Sequence, residues 1–447
     1  MNNDIESSKL KQGKQHKKFD LFNFKTIIVI SLIVFIFSIL LFNLHFRFNI
    51  FLSLLLTIII ILFMFYIFFQ LFLKRLGKAG YKEDWNDLYG YKIINLPYFK
   101  NNIIINSFKK NGENFNEEIG DINDGKDYQK NDRNYYDLFI PYSSLKKKSK
   151  YNGIMLFIHG GGWTGGKKEF MLHLCARYTK LGYITATMNY SYLNKNYKEY
   201  SIFRILDEIT ACINDIKNQL IEEGFDGNKL ELALGGISAG AHLSLLYGYS
   251  IKKTPIPIKF VINQVGPISL EPEYWYKIKN EVLENIESKD IDIALKEKKI
   301  IKIFDNESKN LYLMNLFIGN KFTDKEMKEM LENKVIKKDD KKYKEMLQIA
   351  QYTFPIKFIN SNTIPTLCQY GGRDSLVGVR NYSFLKNLSE KYGNTVKLVY
   401  MKEGGHLLDK YDTIEGMNSI REAHYQILNF AKNYFTHDED EKLLFII

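Results

Sequence analysis

Ser238 stands in Gly236-Ile237-Ser238-Ala239-Gly240, just after the strand-like run Leu230-Glu231-Leu232-Ala233-Leu234. Upstream, His159-Gly160-Gly161-Gly162-Trp163 follows the continuous apolar run Ile154-Met155-Leu156-Phe157-Ile158. A poised hydroxyl and a loop of glycine amides are the two halves of an acyl-transfer site: the first attacks an acyl carbon, and the second receives the oxyanion that the attack creates. A serine at a tight strand-to-helix turn is held in a strained conformation that exposes its hydroxyl, and only glycine tolerates the crowding two residues to either side. Gly236 and Gly240 supply that room. The compact apolar stretch 239–247 should continue as helix, its first amides turned to the reacting centre and that of Ala239 the expected donor. In the glycine loop, Gly161 and Gly162 are the preferred donors beside Gly160, with His159 and Trp163 as supporting positions. A phosphate-cradling loop would end in Gly-Lys-Ser or Gly-Lys-Thr, and Gly166-Lys167-Lys168 lacks the hydroxyl. Taken singly, either motif also fits a tight turn without chemistry.

A general base and an orienting acid should follow in the order serine, acid, histidine. Of the eight histidines, His159 belongs to the glycine loop and His242 to the helix after Ser238, where packing or helix hydrogen bonding is the expected role. His406 follows the strand-like run 395–401 and the flexible Glu403-Gly404-Gly405, so it sits in a loop at a strand's end and is the expected base. Asp374 lies in Gly371-Gly372-Arg373-Asp374, beyond the strand-like run 364–370. From there it should accept a hydrogen bond from the His406 ring, fixing its tautomer and stabilising the imidazolium formed during attack. The same aspartate could cap a turn from Ser375 onward. Asp409 and Glu403 are weaker candidates, because reaching the ring from so near in sequence needs a sharply folded loop.

These motifs resemble the α/β-hydrolase superfamily, in its hormone-sensitive-lipase-like and bacterial acetyl and feruloyl esterase-like branch. The resemblance rests on His159-Gly160-Gly161-Gly162-Trp163, on the segment from Gly236 to Leu243, on the Asp374 turn and on the loop before His406. It also takes in Tyr135-Tyr136-Asp137-Leu138-Phe139-Ile140-Pro141, similar to the early strand ending in proline that such esterases carry, and Phe354-Pro355-Ile356. It implies an eight-stranded, mostly parallel sheet, a triad of Ser238, Asp374 and His406, and cleavage of carboxylic esters through an acyl-enzyme with no cofactor or metal. Two positions depart from the family pattern: Asn189-Tyr190-Ser191 stands where Asn-Tyr-Arg is common, and Tyr370-Gly371 where His-Gly is common. These leave the triad intact and open the substrate class. An amidase such as a formamidase, a peptidase or a prenylcysteine methylesterase could share every motif. The reading from another class is an inactive hydrolase-fold binding protein, since fold alone never proves activity.

The elements that must position these residues alternate between strand and helix. Residues 183–190 are β-branched and aromatic, and 202–221 carry apolar side chains at helical spacing, which gives a βαβ pattern and a parallel sheet covered by helices. Functional loops then gather at the strands' C-terminal edge. Between the strand-like run 260–265 and that at 367 lies a stretch far longer than one crossover, about 270–360, helical by pattern, with Thr323 and Glu326 forming a capping box. This insertion is expected to act as a lid over Ser238.

At the N-terminus, residues 26–44 and 50–73 are nearly free of charge and long enough to span a hydrocarbon core, which takes about 20 helical residues. They predict a two-span transmembrane hairpin over 26–73, preceded by a basic tail over 1–25. Lysines and arginines flank the outer ends of both spans, so the positive-inside rule predicts a multi-pass membrane protein with its catalytic domain in the cytoplasm. A polar linker over 74–133, with β structure at 91–105, leads to the hydrolase domain over 134–436, and 437–447 is an acidic C-terminal tail. The three cysteines, Cys175, Cys212 and Cys368, are odd in number and match no zinc spacing. With 447 residues, of which 45% are hydrophobic, the chain can bury a full core. The net charge of +11 comes without any nucleic-acid recognition module. The expected partners are thus a small-molecule or lipid ester and the membrane, with no nucleic acid and no obligate protein partner.

Overall fold

The computed structural model describes residues 83–98, 133–146, 153–196, 200–271, 307–333, 335–374, 376–402, 404–408 and 414–436, with positions 58, 59, 62, 63, 66, 103, 104, 127, 128, 276–278 and 300–302. The chain divides into two compact units, Met1–Phe72 and Leu73–Ile447. The second is built on an eight-stranded sheet. Its strands are β1 (Gly90–Pro97), β2 (Tyr135–Pro141), β3 (Ile154–Ile158), β4 (Ile184–Met188), β5 (Leu232–Ile237), β6 (Ile258–Gln264), β7 (Thr366–Gly371) and β8 (Val396–Met401). They lie in the order β1, β2, β4, β3, β5, β6, β7, β8. The β1 and β4 edges of β2 are antiparallel, and every pairing from β4 to β8 is parallel. This is the α/β-hydrolase fold that the motifs led us to expect.

Covering helices explain the strand composition. β3 and β4 are buried at every residue, as parallel strands packed on both faces must be, which is why both read as unbroken apolar or β-branched runs. Helix α1 (Leu172–Lys180) follows the glycine loop, and α2 (Ile202–Glu222) crosses over from β4 towards β5. Ser201 caps α2 by accepting from the Arg204 amide at 3.3 Å. Helix α3 (Ala239–Ser250) follows β5 directly and is buried from Ala239 through Tyr247. Being enclosed on all sides, it shows no polar face.

The first strand comes from a segment whose polar composition reads as linker. β1 pairs with β2 from Gly90↔Pro141 to Pro97↔Tyr135, and Trp85 sets its ring 5.0 Å from that of Phe139. Between β6 and β7, the described part of the insertion forms α4 (Glu307–Phe317), α5 (Asp324–Glu329) and α6 (Lys341–Ala350). Two-stranded pieces join Leu331–Glu332 to Val335–Ile336 and Tyr276–Ile278 to Ile300–Lys302. The capping box is present: the Thr323 hydroxyl accepts from the Glu326 amide while the Glu326 carboxylate accepts from the Thr323 amide at 2.8 Å. Helices α7 (Arg380–Tyr392) and α8 (Ile414–Tyr434) complete the layers.

The expected placement as a two-span membrane protein with a cytoplasmic catalytic domain is corrected. Among the described residues, no helix is long and apolar enough to cross a membrane. The longest described helices, α2 and α8, have 21 residues each. Both carry charges along their length, such as Asp207, Glu208, Asp215 and Lys217 in α2 and Arg421, Glu422 and Lys432 in α8. The runs 26–44 and 50–73 lie outside the described residues, apart from the helical positions Ile58, Ile59, Leu62, Phe63 and Tyr66. The basic tail and the acidic tail lie outside them as well.

Candidate active site

Sheet register decides which loops meet. Ile158, the last residue of β3, pairs with Gly236 of β5, so the glycine loop leaves the sheet beside the turn that carries Ser238. Gly371, the last residue of β7, pairs with Met401 of β8, so the Asp374 turn and the His406 loop leave it side by side. All four segments emerge at the C-terminal edge, where parallel sheets hold their sites.

Ser238 has φ 54° and ψ −120°, a left-handed conformation that a non-glycine residue adopts only where its surroundings enforce it. The enforcement is visible. Its amide donates to the Gln264 carbonyl at 2.8 Å and its carbonyl accepts from the His242 amide at 3.0 Å. A Cβ on Gly236 would come within 2.4 Å of the Gly240 backbone, and one on Gly240 within 2.1 Å of the Ile158 carbonyl. Both glycines are therefore required by space, as the motif suggests.

His406 presents Nε2 to the Ser238 Oγ at 2.8 Å and Nδ1 to the two carboxylate oxygens of Asp374 at 3.1 and 2.9 Å. A carboxylate facing Nδ1 favours the tautomer that carries its proton there, which leaves Nε2 to accept from the serine. Asp374 is buried and its Oδ1 also accepts from the amides of Leu376 at 2.7 Å and Val377 at 2.9 Å. The carboxylate both caps its own turn and faces the imidazole. The two loops are tied by their backbones, the Gly372 amide donating to Met401 and the Arg373 amide to Gly404. Of the weaker acid candidates, Asp409 and Glu403 lie outside the described residues.

In the glycine loop, Gly161 has φ +126°, Gly162 φ +59° and Trp163 φ +61°. Gly161 and Gly162 are exposed while Gly160 is buried, with its carbonyl accepting from His159 Nδ1 at 2.7 Å. Ala239 opens α3, in the first turn where helical amides lack intrahelical partners. His159 is buried, stacks on Tyr190 at 4.3 Å and turns Nε2 to the Arg133 guanidinium at 3.4 Å. Burial pulls its imidazole down to about 4, with Arg133 adding to the effect against the Gly160 hydrogen bond.

Several supporting residues escape sequence reasoning. Arg133 donates to the Gly166 carbonyl at 3.1 Å, to the Tyr190 carbonyl at 2.9 Å and to Asn189 Oδ1 at 3.2 Å, and it lies 3.7 Å from the Tyr192 ring centre. The Tyr192 hydroxyl donates to the same Gly166 carbonyl. Lys168, almost wholly buried, grips both Asp137 oxygens at 2.8 Å. Together they brace the glycine loop from behind. The only prior signal was the motif departure at 189–191. There, Ser191 donates to Glu208, which is paired with Arg204 at 3.0 Å. At the other departure, the Tyr370 hydroxyl donates to the Gly266 carbonyl at 2.6 Å.

The His242 side chain bonds outside its own helix. It accepts at Nδ1 from the Trp163 indole at 3.2 Å and meets the Thr353 carbonyl with Nε2 at 2.9 Å. Among the described residues, no group of three His, Cys, Asp or Glu side chains could hold a metal ion. The cysteines Cys175, Cys212 and Cys368 are buried and free, and burial raises all three thiols.

The family model BD-FAE matches residues 137–388, more than half of the chain, and the chain belongs to that family. The match takes in the glycine loop, Ser238 and Asp374 and ends before His406. No curated protein sequence matches. Among solved structures, similarity is found to a truncated form of a carbohydrate esterase from gut microbiota, with 14% identity over 76% of this chain and 98% of that one and a TM-score of 0.48. Esterase B from Lactobacillus rhamnosis shows 14% identity over 80% of this chain and 91% of that one, with a TM-score of 0.47. A Pyrobaculum calidifontis esterase shows 16% identity over 67% of this chain and 81% of that one, with a TM-score of 0.42.

Proposed function

We propose that the protein is a serine hydrolase that cleaves carboxylic esters through an acyl-enzyme. The observation that carries this reading is the His406 ring bridging the Ser238 hydroxyl at 2.8 Å and the buried Asp374 carboxylate at 2.9 Å. Ser238 Oγ attacks the acyl carbon as its proton passes to His406 Nε2, and Asp374 holds the ring and offsets its positive charge. The carbonyl oxygen takes up the electron pair and is met by the amides of Gly161, Gly162 and Ala239, with Gly160 shaping the loop. Collapse of the tetrahedral intermediate breaks the bond to the alcohol, which leaves with the proton from His406. Water then attacks the acyl-enzyme by the same route and frees the acid and Ser238. Membership of the BD-FAE family supports the assignment. The insertion forms a wall of the substrate pocket, a reading supported by Phe317 of α4 standing 4.7 Å from the Trp163 ring centre.

Labelling with a fluorophosphonate tests the chemistry. The full chain should form a covalent adduct that is lost in Ser238→Ala, together with hydrolysis of nitrophenyl esters. An unlabelled wild-type chain would identify a binding protein on a hydrolase fold instead.

A further inference from the structure

His242 sits where three parts of the molecule meet. It belongs to α3, directly behind Ser238; Trp163 closes the glycine loop; Thr353 ends the insertion, its hydroxyl donating to the Ala350 carbonyl at 2.6 Å. An indole N–H only donates and a carbonyl only accepts. The Trp163 contact at 3.2 Å therefore requires an unprotonated Nδ1, and the Thr353 contact at 2.9 Å a protonated Nε2. One neutral tautomer satisfies both neighbours, and the imidazolium satisfies only one of them. Burial agrees, holding the group down to about 3 against the opposing pull of the Thr353 carbonyl. An apolar side chain of equal size would fill the space and leave a buried indole N–H and a buried carbonyl unpaired.

The same junction is clamped by packing. Phe317 of α4 lies with ring centres 4.7 Å from Trp163 and 5.3 Å from His242. On the other side the Trp163 carbonyl accepts from the Leu193 amide at 3.0 Å, and the Asn320 side chain reaches from the insertion to the Asn194 carbonyl at 2.9 Å. Trp163, a non-glycine residue, has φ +61°, so the loop carries backbone strain at the residue that closes it. Strain of that kind persists only where neighbours over-determine it.

We propose that His242 is a positioning residue for the reaction at Ser238: it ties the glycine loop, through Trp163, to the docked insertion, through Thr353, and so fixes where the loop amides stand. The inference rests on the serine-hydrolase reading and adds a dependence of the oxyanion site on the insertion. Its test uses the full chain, nitrophenyl acetate as substrate and a trifluoromethyl ketone, which forms a tetrahedral adduct with a serine hydroxyl. Trp163→Phe removes the indole donor and keeps an aromatic ring. His242→Gln can still reach Thr353 and drops the Trp163 acceptor, whereas His242→Asn keeps an acceptor near Nδ1 and drops the Thr353 bond.

Trp163→Phe and His242→Gln should each lower kcat by about 10- to 100-fold with KM within about twofold, because displaced amides act on the transition state alone. Ketone affinity should fall by the same factor as kcat/KM. The double variant should be no slower than the worse single, since both break one tie. His242→Asn, which breaks the same tie at Thr353, should lose kcat to a similar extent, and a wild-type kcat there would overturn the dependence on the insertion. Folded variants with wild-type kcat and ketone affinity would overturn the tie, as would lowered thermal stability with unchanged kinetics or single effects that multiply in the double. Trp163→Phe decides the matter if the His242 variants do not fold. A wild-type chain that neither hydrolyses the ester nor binds the ketone points instead to failure of the serine-hydrolase reading.

Discussion

Two buried imidazoles lie beside the candidate site, His159 in the glycine loop and His242 in α3. His159 and His242 are both fully enclosed, and burial lowers them to about 4 and about 3. In the unfolded chain each takes up a proton near pH 6.5, whereas the folded protein resists it until those lower values. The unfolded state therefore binds more protons across that window, and stability falls as pH drops below about 6.5, levelling off near the folded values. The loss should be on the order of a few kcal/mol before most carboxylates begin to titrate. Urea midpoints at pH 7, 5.5 and 4.5 check this, and a midpoint that stays level from pH 7 to 4.5 contradicts it. The chain itself places both histidines on their elements but shows neither their burial nor their partners. A histidine in a glycine loop and one in a helix look alike whether solvated or sealed, and their partners, Arg133 and Thr353, lie 26 and 111 residues away.

At the level of elements, β5, the turn at Ser238 and α3 act as one rigid piece. Close approach of backbones does the work that side-chain packing does elsewhere. Gly240→Ala puts a methyl 2.1 Å from the Ile158 carbonyl and 2.5 Å from that of His159, pushing the glycine loop away from α3. Overpacking of this kind costs about 1–3 kcal/mol or more, and a displacement of about 1 Å at a reacting centre can cost ~100-fold in rate. Nitrophenyl acetate turnover should therefore fall far more than the urea midpoint does; wild-type turnover in Gly240→Ala would refute the crowding argument. This part of the site was legible, because spacing of glycines around a serine is a local property of the chain. Strand β1 was legible as β structure within 91–105 but not as a member of the main sheet. Its Lys92, Asn95 and neighbouring polar residues suit an edge position with one wet face, which in composition resembles a linker.

Across the whole molecule, parallel register brings together residues that the chain separates by 168 positions, Ser238 and His406. The insertion enters between β6 and β7, and its buried Leu311, Met314 and Phe317 make it part of the packed structure. If it also walls the pocket, a chain lacking residues 275–345 should retain cleavage of nitrophenyl acetate and change its preference across a series of graded acyl lengths. An unaltered preference in a folded, active deletion would remove the insertion from the substrate site.

Local structure was written in the sequence alone: the serine turn, the glycine loop, the alternation that makes a parallel sheet, and the capping box at Thr323. The serine turn, the glycine loop and the capping box each depend on residues within a few positions of one another, where backbone geometry and periodicity leave little choice. Tertiary structure alone decided that Arg133, Tyr192 and Asn189 support the glycine loop, that Glu208 and Arg204 occupy the place behind Ser191, and that His242 joins Trp163 to Thr353. Those contacts arise between elements distant in the chain, and a buried polar group shows its partner only once the fold has removed the water that would otherwise serve it.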